Sequence, residues 1–130
     1  MVAVTKKIPY KELINPLKAG EKIALFTCNT CPRMYETGGV EVMNELAAQL
    51  EEDGFKVTDK IVLAAACFED FIKQLIPLIS DSWTTGIVLA CDSGWGIVKS
   101  YLLQKRIFRG LITVGIQQGR EPKPVELLEG

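Results

Sequence analysis

The feature that most constrains the fold is an alternation of short apolar runs with helical stripes. KIALFTC (22–28) is an apolar run without helical period and reads as a buried strand. VEVMNELAAQLEED follows, with Met43, Leu46, Ala47 and Leu50 at i, i+3, i+4 and i+7. It is an amphipathic helix, closed by Gly54. FKVTDKIVLAAAC (55–67) contains the next strand or strand pair, with IVLAAAC as its apolar end. Phe68, Phe71, Ile72, Leu75 and Ile79 mark a second helix, which Pro77 kinks or shortens. WTTGIVLAC (83–91) is a third strand. The glycine-containing Gly94-Trp95-Gly96 precedes a third helix carrying Ile97, Val98, Tyr101 and Leu102 on one side. GLITVGI (110–116) is a fourth strand.

This spacing is that of βαβ units. It predicts one α/β domain over residues 1–130: three layers, with a small, mostly parallel sheet of about four to five strands between helices, Rossmann-like or flavodoxin-like. Residues 1–20 read as an N-terminal helical segment on the spacing of Tyr10, Leu13, Ile14 and Leu17, weakened by Pro16. Residues 117–130, with two prolines, read as a loop tail.

A formal net charge of −1 gives no electrostatic footprint for nucleic acid or an acidic membrane. No apolar run approaches the roughly 18 residues of a membrane span. MVAVTKKIPYKEL lacks the apolar core of a signal peptide, so the expected compartment is the cytoplasm. There, cysteines serve more often as metal ligands or redox groups than as structural disulfides. The chain has no histidine, which removes His-based acid–base catalysis, Cys/His and Ser/His nucleophile pairs, and mixed Cys/His zinc sites. Sulfur is the first place to look for chemistry.

Cys28, Cys67 and Cys91 fall at the C-terminal ends of predicted strands, and Cys31 lies in the loop after Cys28. In a parallel sheet those ends share one edge, where α/β folds place their ligand crevice. Buried cysteines are often only small core residues. A thioredoxin-like dithiol needs the CxxC alone and leaves Cys67 and Cys91 without a role. Zinc accepts four thiolates but commonly draws them from two short-spaced turns, and this chain has one. An iron–sulfur cubane is also held by four thiolates and suits ligands from three separate loops at least as well.

Around the thiols, Thr37-Gly38-Gly39 reads as a capped helix start with amides suited to an anion. Gly94 and Trp95 belong to a glycine-rich loop beside Cys91, where Trp95 shields a cluster, faces a partner, or simply packs. Arg33 offsets thiolate charge or is a solvated loop arginine. No Walker motif is present, and the lone GxG is no nucleotide fingerprint.

Taken together, CxxC followed by Thr37-Gly38-Gly39 and an acidic amphipathic helix, then Cys67 and Leu89-Ala90-Cys91, resembles the methylenetetrahydrofolate reductase C-terminal-like domain. That domain occurs in the cysteine-rich accessory subunit partnering a flavin-containing reductase. The resemblance covers Ile8 to Ile116. It implies a cytoplasmic redox accessory subunit without substrate turnover of its own. In it Cys28, Cys31, Cys67 and Cys91 hold a [4Fe–4S] cluster or zinc, bordered by Thr37, Gly38, Gly39, Gly94 and Trp95, and electrons pass to a flavoprotein. This chain has Tyr35 where the family often has a further cysteine. The ferredoxin-like segment that usually accompanies the domain is not among these residues, which loosens the link to folate chemistry. The alternatives are an interaction module, metal-free or built on zinc held by the four cysteines, and a domain binding a pterin or flavin.

Overall fold

The computed structural model describes residues 2–117 and 126–127. In chain order, β1 (Val2–Lys7) and the short α1 (Tyr10–Ile14) lead into β2 (Lys22–Cys28). A single helical turn, α2 (Cys31–Met34), precedes α3 (Val40–Glu52) and β3 (Lys56–Leu63). Then come α4 (Glu69–Leu75) with a 3-10 turn at Ile76–Leu78, β4 (Thr85–Leu89), α5 (Asp92–Tyr101), β5 (Arg106–Arg109), β6 (Leu111–Gln117) and β7 (Glu126–Leu127).

Four strands form a parallel sheet in the order β3-β2-β4-β5. Counting only these strands, the order is 2-1-3-4, as flavodoxin-like sheets begin. β2 lies inside the sheet, and every residue of it except Lys22 is buried. Its alternating side chains build two cores. Ile23 and Leu25 pack with Leu13 of α1 and the Met43, Leu46, Ala47 and Leu50 stripe of α3. Ala24, Phe26 and Cys28 face Ile72 of α4, Val98 of α5 and Trp83. Phe26 and Trp83 meet edge to face, with centroids 5.9 Å apart and planes at 74°. Helices therefore cover both faces, as the period-2 and period-3.6 patterns predict.

The elements differ from the sequence expectation at six places. GLITVGI supplies β6, which pairs antiparallel with β1 in a separate small sheet. The fourth parallel strand is RIFR, β5, whose two exposed arginines on an edge strand hide it from an apolar-run reading. Residues 2–7 are a strand rather than helix, and α1 ends before Pro16. IVLAAAC stops being strand at Leu63, so Cys67 lies in a loop four residues on, and β4 is trimmed to Thr85–Leu89. Finally, α5 begins at Asp92, which puts Gly94, Trp95 and Gly96 inside the helix instead of before it. Of the 117–130 tail, Gln117 closes β6 and Glu126–Leu127 pair with it; the rest lies outside the described residues.

At the N-terminal edge of the parallel sheet, Glu21 ties three strands together. Its Oε1 accepts from Thr85 Oγ1 at 2.6 Å, Thr84 Oγ1 at 3.2 Å and Arg106 Nη2 at 2.7 Å, and its Oε2 accepts from the Lys18 amide at 3.0 Å. Burial alone pushes Glu21 upward. The Thr85 and Lys18 bonds, the Arg106 charge and Thr84 outweigh it and hold the carboxyl below its ordinary value. A depressed carboxylate contributes stability above the ordinary range and loses it as pH falls through the folded value. Glu21→Ala is expected to lower the unfolding free energy at neutral pH by about 1–3 kcal/mol in urea denaturation. The gap between variant and wild type should shrink below roughly pH 4.

Candidate functional site: four thiols on one sheet edge

The chain reaches β3 from β2 through α3 on one face and reaches β4 from β3 through α4 on the other. The crossovers part between β2 and β4, so the crevice of this fold opens at the C-terminal ends of those two strands. Cys28 is the last residue of β2, and Cys91 is the N-cap of α5, two residues past β4. Cys31 opens α2, and Cys67 lies in the loop between β3 and α4. All four sequence-predicted thiols thus share one rim, and all four are free.

Their environments are graded. Cys28 is 4% exposed, Cys31 and Cys91 are half-buried, and Cys67 is open to solvent. The loops carrying them are tied to each other: the Asn29 amide donates to the Leu63 carbonyl at 2.8 Å, and Thr30 Oγ1 donates to the Ala64 carbonyl. The Ala66 amide donates to Cys28 Sγ at 3.3 Å. Burial pushes the Cys91 thiol up; the Gly94 and Ser93 amides oppose this without completing hydrogen bonds, while Cys31 and Cys28 add to it. Partial burial likewise raises Cys67, and the Cys91, Cys28 and Cys31 thiols raise it further against its own amide. Among the described residues, no three His, Cys, Asp or Glu side chains are grouped closely enough to hold a single metal ion.

The other expected site residues have different roles. Gly39, at φ +94°, is the N-cap of α3, and Thr37 caps nothing. Thr37 Oγ1 instead bonds Thr5 Oγ1 at 2.5 Å and the Pro32 carbonyl at 3.3 Å. The Gly38 amide donates to the Pro32 carbonyl at 3.1 Å and the Gly39 amide to Thr27 Oγ1 at 2.7 Å, so both amides are already occupied. The amides beside sulfur belong to Ala66, Gly94 and Ser93, and no local motif announced them. Trp95 packs: its Nε1 donates to the Ile107 carbonyl at 3.1 Å, and Lys99 and Arg109 lie 4.9 and 4.6 Å from its ring centroid. Arg33 is exposed and lines a cavity of about 700 Å³ with Lys7, Glu36, Glu41 and Glu45, which no cysteine lines.

Two apolar side chains flank the thiols in sequence. Met34 is 65% exposed and Phe68 64%, although the helical stripe predicted Phe68 as core. Among the described residues, no helix is long and apolar enough to cross a membrane. The chain matches no family model, and no curated protein or solved structure is significantly similar to it.

Gly94 lets α5 approach the Cys67 loop: a Cβ there would lie 2.8 Å from Ala66 Cβ and 3.1 Å from Ala90 Cβ. Gly96, in the same helix, has nothing within 4 Å of such a Cβ. Gly96→Ala is expected to stabilise by about 0.5–1 kcal/mol through helix propensity. Gly94→Ala should destabilise by about 1–3 kcal/mol despite that propensity, as thermal or chemical unfolding of the pair will show.

Proposed function

We propose that this chain is a redox accessory subunit holding one [4Fe–4S] cluster on Cys28, Cys31, Cys67 and Cys91. The observation carrying the reading is the gathering of four free thiols, from the segments that follow three parallel strands, at the crevice of the sheet. The donor set fits the group, being all sulfur and the number of thiolates a cubane takes. A dithiol oxidoreductase is less well supported, because Cys28 is too buried to meet a disulfide substrate.

Such a cluster, when bound, supplies one-electron transfer. The protein's part is to bind and to tune. The Ala66 amide at Cys28, and the Gly94 and Ser93 amides near Cys91, favour anionic sulfur. Buried Cys28 would hold the group away from water, and exposed Cys67 would be the ligand nearest solvent. The resemblance to the methylenetetrahydrofolate reductase C-terminal-like domain supports a cytoplasmic setting and a flavin-containing oxidoreductase as electron partner.

Protein made and purified without oxygen is expected to be brown and to contain about four iron and four sulfide per chain. Cys28→Ser and Cys67→Ser should each lower that content. A colourless anaerobic preparation with stoichiometric zinc would overturn the proposal in favour of a structural module, and a co-purifying flavin or pterin without iron would overturn it in favour of a small-molecule domain.

A further inference from the structure

Two cavities adjoin beside the start of α3, and no cysteine lines either. The larger, about 700 Å³, is lined by Lys7, Arg33, Glu36, Glu41 and Glu45. The smaller, about 230 Å³, is walled by Ile8, Leu13, Leu46 and Leu89. Lys7, Val42 and Glu45 line both, so the two are parts of one depression. The chain builds this change from charge to hydrocarbon twice. Lys7 ends β1 and is followed by Ile8 and Leu13; along α3, Glu41 and Glu45 form one row and Val42 and Leu46 the next.

Both halves are open to an occupant. Among the described residues, none of the five charged side chains of the larger cavity is in an ion pair. The hydroxyls of the smaller are already engaged, Tyr10 Oη with Asp53 and Thr37 Oγ1 with Thr5, each at 2.5 Å, so what it offers is apolar. An anion alone would meet Glu36, Glu41 and Glu45, and a cation alone would meet Lys7 and Arg33. A molecule carrying both charges and one apolar branch suits every wall. The smaller cavity lies below the roughly 300–1,000 Å³ of drug-sized sites, room for a side chain but not a lipid tail.

We infer that this depression binds a free α-amino acid with an apolar side chain. Its carboxylate lies toward Arg33 and Lys7, its ammonium toward Glu41 and Glu45, and its side chain enters the pocket of Ile8, Leu13, Leu46 and Leu89. The site shares no residue with the thiols and does not depend on the cluster reading.

Titration calorimetry of the full chain with L-leucine and L-phenylalanine tests it. At least one of them should bind saturably at millimolar concentration. Glycine, and the analogues with a single charge (isoamylamine and isocaproate, phenethylamine and phenylpropionate), should bind about tenfold or more weakly. Glu45→Gln and Arg33→Gln, both at exposed positions, should each weaken binding of the amino acid about tenfold. Absence of saturable heat with both amino acids would overturn the inference. So would glycine or a single-charge analogue binding as tightly as the amino acid, or both variants binding as wild type does.

Discussion

The structure depends on β2 being buried on both faces and paired on both edges. A strand so placed has little room for polar side chains, and within it only Thr27 is both polar and buried. Its hydroxyl accepts from the Gly39 amide and reaches the Leu89 carbonyl at 3.5 Å. One side chain therefore joins the start of α3 to the end of β4, and its bond from the Gly39 amide closes the base of the segment carrying Cys31. Gly38 has to be glycine for the same reason, since a Cβ there would lie 2.6 Å from Pro32 Cβ.

Alternation along β2 also decides which helices meet the thiols. Thr27 points toward the α3 side, so Cys28 points toward α4 and α5 and joins Ala66 and Ala90 in that core. Small residues dominate there, which lets the Cys67 loop and the first turn of α5 come together. Burial first, and neighbouring thiols second, make Cys67 and Cys91 harder to ionise. The Gly94 and Ser93 amides offset part of that cost at Cys91.

Much of this is legible in the residues. The strand 22–28, the stripe of α3 and the shortening of the next helix at Pro77 follow from local period and local chemistry, and the structure shows each. The common edge of the four cysteines follows from strand ends and parallel pairing. What escapes a sequence reading is non-local. An apolar run says strand but not partner, so β6 reads as a member of the parallel sheet when it belongs to the other. Gly94 and Gly96 look like loop signals, yet Gly94 answers to Ala66, twenty-eight positions away. Thr37 looks like a cap, yet its hydroxyl meets Thr5 across thirty-two positions. The burial of Tyr35 Oη without a hydrogen-bond partner among the described residues has no sequence signature at all.

The Glu21 network and the thiols occupy opposite edges of one sheet. Seven residues of β2 separate them, about 23 Å of extended chain. At such a distance, the effects of substitutions add instead of interfering. The clasp among Glu21, Thr85 and Arg106 therefore acts as an anchor whose strength is independent of what the far rim binds. Substitutions among the rim residues therefore register locally while the scaffold keeps its margin.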